Sequence, residues 1–131
     1  MILWLASYPK SGNTFVRALL ASYLNNDNDN VFSKMRGIRS FPKKSSFEGI
    51  ISDDLIKKDH MLLFKYFLSA QRKINENNKL NFVKTHNFFG STNGYEFTDR
   101  KNTAGAIHIV RDPRAVAVSY AYHSDISFEK S

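Results

Sequence analysis

Three cations and one imidazole stand at the ends of apolar runs in this 131-residue chain: Lys10 follows the run 2–8, Lys84 and His86 close the run 80–85, and Arg111 follows the run 106–110. Brought together, such groups would bind an anion and move a proton. Around Lys10, the loop Tyr8-Pro9-Lys10-Ser11-Gly12-Asn13-Thr14 holds a glycine that permits close backbone approach, two hydroxyls and a point charge. These are the parts of a phosphate cradle. An imidazole with a reference pKa of about 6.5 can take a proton from an attacking hydroxyl near neutrality, which suits His86 to base catalysis. The loop is not the NTP-binding GxxxxGK[ST] motif, in which lysine follows the last glycine and sits beside the hydroxyl residue that holds Mg²⁺. Here the lysine comes first. The strand ends also carry Lys, His and Arg where an NTPase needs an acidic metal ligand. Only Asp112 comes close, and it reads better as a helix cap.

The elements that must position these groups follow from patterning. The unbroken apolar run 2–8 reads as a strand covered on both faces. Phe15, Val16, Leu19, Leu20, Tyr23 and Leu24 recur at helical spacing, so a helix starts near Thr14. The six turn-forming residues 25–30 end it in a loop. Residues 35–49, with Arg36, Arg39, Lys43 and Lys44, show no period and read as an irregular, solvated basic segment. Residues 54–73 predict one long amphipathic helix capped near Ser52 or Asp53. Residues 80–85 and 106–110 predict two more strands, and Asp112 before Pro113 starts a last helix that runs to about His123. Strands alternating with helices make the fold α/β with a mainly parallel sheet of three strands. In such a sheet the carboxyl ends of the strands share one rim, where ligands bind, so the three cations and His86 are expected in one crevice facing the first helix's N-terminus.

Composition sets the outer bounds. A formal charge of +7, from 19 Lys and Arg against 12 Asp and Glu, with 42% hydrophobic residues, predicts one compact domain over residues 1–131 with a preference for anionic ligands. The absence of cysteine excludes a disulfide framework and a thiol nucleophile, and fits the cytoplasm. No signal peptide or membrane-spanning segment is expected from the short apolar start of the chain.

SYPKSGNTF, KTH and IVRDPRAVAVSY, in that order and each at a strand end, resemble the sulfotransferase family that uses 3'-phosphoadenosine 5'-phosphosulfate (PAPS). The resemblance runs from Met1 to about His123, and its THN and TAGAI context is nearer to bacterial members. It implies a three-layer, P-loop-NTPase-like fold in which Lys10, Ser11, Gly12, Asn13 and Thr14 bind the 5'-phosphosulfate. Phe15 takes the place of an aromatic that stacks near adenine, and Arg111 and Ser119 hold the 3'-phosphate. His86 is the implied catalytic base, and Lys10 and Lys84 stabilise charge on the bridging and sulfuryl oxygens, without a metal. The implied acceptor is a hydroxyl on a small molecule, glycan or lipid. Family members are longer, so the resemblance also implies an N-terminal part of the domain, with an open sheet edge available for self-association. An alternative is a PAPS-binding fragment that does not turn over.

The remaining polar residues have plainer readings. His60, His108 and His123 are expected to be structural or exposed, with His108 turned into the packing of the sheet. Arg17 and Arg114 are expected on helices as surface or ion-pair residues, with Arg114 a minor candidate for the 3'-phosphate. Tyr66 and Phe67 are expected in the core. Two other functional classes would use the same charge, a nucleic-acid-binding module and an atypical nucleotide kinase. The clustering of cations at strand ends beside a phosphate loop favours neither, and nucleic acid is not the expected partner.

Overall fold

The computed structural model describes residues 1–25, 30–59 and 61–124. In chain order the elements are β1 (Ile2–Ser7), α1 (Asn13–Leu24), α2 (Val31–Met35), β2 (Arg39–Ser40), a 3-10 turn (Lys44–Phe47), α3 (Asp53–Lys58), α4 (Leu62–Lys65), α5 (Phe67–Asn75), β3 (Asn81–Thr85), β4 (Ser91–Thr92), β5 (Tyr95–Glu96), β6 (Thr103–Ile109) and α6 (Pro113–Ser124). The fold is α/β. Its sheet has four strands in the order β2-β3-β1-β6, each pair parallel, and β4 and β5 form a separate antiparallel hairpin.

β1 is central because it is apolar on both sides, and the two sides build different cores. Ile2 and Trp4 join Val83, Phe41, Phe47, Phe67 and Phe97 on the α5 face. Leu5 packs with Ala21, Met35 and Ile38, supported by Phe82 and Ile109, on the α1 face. Phe67 is 2% exposed, and Tyr66 packs against the same cluster. Polar groups inside the first core form a closed relay. The indole N–H of Trp4 donates to Thr103 Oγ1, that hydroxyl donates to Thr98 Oγ1, and Thr98 donates to Gln71 Oε1, whose amide nitrogen reaches the Phe97 carbonyl. Each hydroxyl gives one bond and takes one, so the cost of burying them is offset.

Three readings from the sequence are corrected and one hairpin is added. The sheet gains a fourth strand, β2, inside the segment expected to be irregular, and that segment follows a short helix, α2. The helix expected over 54–73 is three helices. Asp59 is extended at φ −149° and its Oδ1 accepts from the Met61 N–H, a side-chain turn that competes with helix continuation. The β4–β5 hairpin was missed although Asn93 and Gly94, at φ 53° and 78°, form the Asn-Gly turn that favours it. His108 is exposed rather than packed, since β6 is the outer strand of the sheet. Residues 26–29 of the asparagine-rich loop and His60 lie outside the described residues. Among the described residues, no helix is long and apolar enough to cross a membrane.

Candidate functional site

The registers show why distant residues meet. Leu5 pairs with Lys84, Ala6 with Thr85 and Ser7 with Ile109, so β1, β3 and β6 end at one level. Lys84 and His86 are two apart in sequence and share the β3 face that carries Phe82, the α1 side. A cleft of about 1070 Å³ opens at this rim, lined by Lys10, Gly12, Asn13, Thr14, Phe15, Lys84, His86, Arg111 and Ser119. Thus nine of the ten residues singled out from the sequence line one cavity.

The tenth, Ser11, is buried and lines a neighbouring recess of about 350 Å³ that also reaches Arg111. Its N–H donates to the Tyr8 carbonyl, which closes the turn after β1. Two residues of this turn are left-handed, Lys10 at φ 67° and Gly12 at φ 101°. Gly12 is the N-cap of α1, and a Cβ there would meet nothing within 4 Å. The first bond of α1 runs from the Val16 N–H to the Gly12 carbonyl, which leaves the N–H groups ahead of it without helical acceptors, a setting that favours an anion.

Asn13 lines the cleft, and its side chain also has a structural role. It is 5% exposed, and its Nδ2 donates to the Leu5 carbonyl at 2.9 Å and to Ser7 Oγ at 3.1 Å. Its Oδ1 is buried without a hydrogen-bond partner among the described residues. The amide nitrogen therefore fastens the start of α1 to the end of β1.

His86 is exposed at the cleft, and its ring is held from one side. Nδ1 lies 2.7 Å from the Ser7 carbonyl oxygen and 3.3 Å from Ser7 Oγ. A carbonyl can only accept, so Nδ1 carries the hydrogen and Nε2 keeps the lone pair in the neutral ring. Arg111 donates from Nη1 to the Lys10 carbonyl at 3.2 Å, tying the end of β6 to the loop after β1. Burial, and then the nearby Arg17 guanidinium, push Lys84 below the ordinary lysine range. Asp112 caps α6 by accepting from the Arg114 N–H, and pairs with the Arg114 guanidinium, which holds its carboxyl below the usual range.

A comparison with protein-family models matches the sulfotransferase domain over residues 2–130. The chain belongs to the sulfotransferase domain family. No match was found among the curated proteins. For this sulfotransferase domain the family supports a sulfotransfer role, and the α/β fold with its parallel sheet agrees with it. Sequence reasoning missed several residues that shape the cleft. Val31, Phe32 and Met35 line it from α2, and Tyr120 and His123 line it from α6. It also missed Ser7, which has no signal of its own inside an apolar run.

Proposed function

We propose that this chain transfers a sulfuryl group from PAPS to a hydroxyl acceptor on a small molecule, glycan or lipid. In this reading the acceptor hydroxyl gives its proton to Nε2 of His86 as its oxygen bonds to sulfur. The bond between sulfur and the bridging oxygen breaks in line, and adenosine 3',5'-bisphosphate leaves with the electron pair. Lys10 and Lys84 offset negative charge on the bridging and sulfuryl oxygens. The backbone of the turn 11–14 receives the 5'-phosphosulfate at the α1 N-terminus. Arg111 and Ser119 take the 3'-phosphate, and Phe15, two-thirds exposed at the cleft, offers a face to adenine.

The observation that carries this reading is the meeting of Lys10, Lys84, Arg111 and His86 on one cleft, with His86 held through Nδ1. The donor set suits a phosphate-bearing ligand, since the left-handed Gly12 leaves open space in the turn and the Arg111 guanidinium lies beside that loop. The test is calorimetric titration with adenosine 3',5'-bisphosphate for the native chain, Lys10→Ala and Arg111→Ala, with labelled-sulfate transfer from PAPS for the native chain and His86→Ala. Binding lost in the first two variants, and transfer lost in the third, is expected. Equal binding by all three proteins, or transfer untouched by His86→Ala, would overturn it.

A further inference from the structure

A second concavity, about 660 Å³, lies beside the two-residue strand β2 at the margin of the sheet. Among the described residues, Arg17, Arg36, Arg39, Lys43 and Lys73 line it, against a single carboxylate, Glu76. Among the described residues, Arg36, Arg39 and Lys43 make no ion pair and no side-chain hydrogen bond, in contrast with Lys44, which pairs with Asp53 at 2.6 Å. These cations are therefore not spent on the fold. Arg17 is fixed by two bonds from Nη2, to the carbonyls of Met35 and Ile38, and its Nε is buried without a partner among the described residues. Carbonyls orient that guanidinium without neutralising it. Ser40, Ser45 and Ser46 add hydroxyls that can donate or accept.

The groove adjoins the cleft described above. Met35 lines the cleft and Arg36 the groove, while Lys84 lines the cleft and its register partner Ser40 lines the groove. Arg17 lies between them, near enough to Lys84 to disfavour its charge. A molecule seated in the groove would thus reach the Lys84 side of the cleft.

We propose that the groove holds the anionic part of the acceptor, so that the preferred acceptor carries two or more carboxylate, sulfate or phosphate groups beside its accepting hydroxyl. This rests on the sulfotransfer reading for the word acceptor, and on the groove alone for its anion preference. Paired guanidinium groups match such oxyanions. A nucleic acid fits less well because, among the described residues, no aromatic side chain lines the groove to stack a base.

The test uses trigalacturonic acid for carboxylates and inositol 1,4,5-trisphosphate for phosphates, each against its uncharged counterpart, maltotriose and inositol. Binding is measured with the cleft saturated by adenosine 3',5'-bisphosphate. At least one charged probe is expected to bind at least about tenfold tighter than its counterpart, with affinity falling as salt rises. The variant Arg39→Ser/Lys43→Ser/Lys73→Ser, checked for an unchanged circular dichroism melt, is expected to abolish the difference while its Kd for adenosine 3',5'-bisphosphate is kept. Single substitutions provide a second route if the triple variant melts early. Equal binding of charged and uncharged probes, a preference that survives the variant, or tighter binding of oligo(dT) than of either charged probe would overturn the proposal. Failure of the nucleotide to bind, with the charged probes still held, would remove the sulfotransfer reading and leave the groove an anion site.

Discussion

Nη1 of Arg111 donates to the backbone carbonyl of Lys10 at 3.2 Å, across 101 positions of sequence. The bond joins the two segments proposed to grip opposite ends of one nucleotide, so Arg111 shapes the loop as well as carrying charge. Arg111→Lys keeps the charge but loses the planar fork. Titration with adenosine 3',5'-bisphosphate is expected to show roughly tenfold weaker binding for Arg111→Lys and roughly a hundredfold for Arg111→Ala. Identical values for the two variants would mean that geometry contributes nothing.

Lys10 combines a side chain proposed to hold the nucleotide with an unfavourable backbone. At φ 67° a residue with a Cβ sits about 1 kcal/mol or more above its right-handed alternatives, a cost that glycine escapes. Lys10→Gly and Lys10→Ala both remove the charge, but only the first relieves the backbone. Both are expected to weaken nucleotide binding about equally, while Lys10→Gly melts at the higher temperature. A Lys10→Gly variant that binds as the native chain does would remove Lys10 from the site.

Two glycines provide a matched pair. Gly12 and Gly94 are both left-handed, at φ 101° and 78°, and a Cβ at either would meet nothing within 4 Å. Each alanine substitution is therefore expected to cost about 1–2 kcal/mol through backbone conformation alone. Chemical denaturation should give similar losses for the two. Only Gly12→Ala should also weaken nucleotide binding, because its methyl group would stand in the cradle. Weakening of the same size in Gly94→Ala would show that the effect is general destabilisation.

What the sequence made legible is what local patterning determines. β1, the turn at Gly12, the start of α1, β3 and the Asp112-Pro113 start of α6 follow from apolar runs, one glycine and one cap, and they carry most of the cleft. β2 was not legible because two residues have no periodicity. It exists because Arg39 and Ser40 pair with Val83 and Lys84, and Phe41 then donates its N–H to the Lys84 carbonyl. The break at Asp59 was hidden for a similar reason, since a local side-chain bond overrode an otherwise continuous apolar stripe. The exposure of His108 depends on which strand lies outermost, and no property of that strand's own residues reports its place in the sheet.

The depressed pKa of Lys84 gives the stability a pH dependence with a definite sign. The folded state releases this proton more readily than the unfolded chain, whose lysine titrates near 10.5. Between the two values the unfolded state binds more protons, so this residue's contribution to stability rises with pH and is fully present only above 10.5. At neutral pH the charge is a standing cost. Lys84→Met is therefore expected to melt higher than the native chain at neutrality, and the gap should narrow as pH approaches 10.5. A bound anion reverses the shift, so nucleotide binding in this alkaline window should take up a proton, visible as a dependence of calorimetric heat on buffer ionisation. A gap that stays constant with pH would exclude Lys84 as its source.

His86 and Ser7 separate the chemical role of a ring from the means of holding it. The Ser7 carbonyl, at 2.7 Å from Nδ1, is a better acceptor than the Ser7 hydroxyl at 3.3 Å, and a carbonyl survives any side-chain substitution. Ser7→Ala should thus leave the tautomer of His86 unchanged and sulfuryl transfer within about threefold of the native rate, since the hydroxyl is the weaker partner. It should nevertheless cost about 1 kcal/mol of stability, because the amide of Asn13 loses one of its two acceptors. His86→Ala should do the opposite, lowering transfer by about 10²–10⁴-fold with nucleotide binding retained. Nitrogen chemical shifts of the ring would report the tautomer directly in the native chain and in Ser7→Ala. A switch to the Nε2–H form in that variant would show that the hydroxyl, not the backbone, sets the direction of proton transfer.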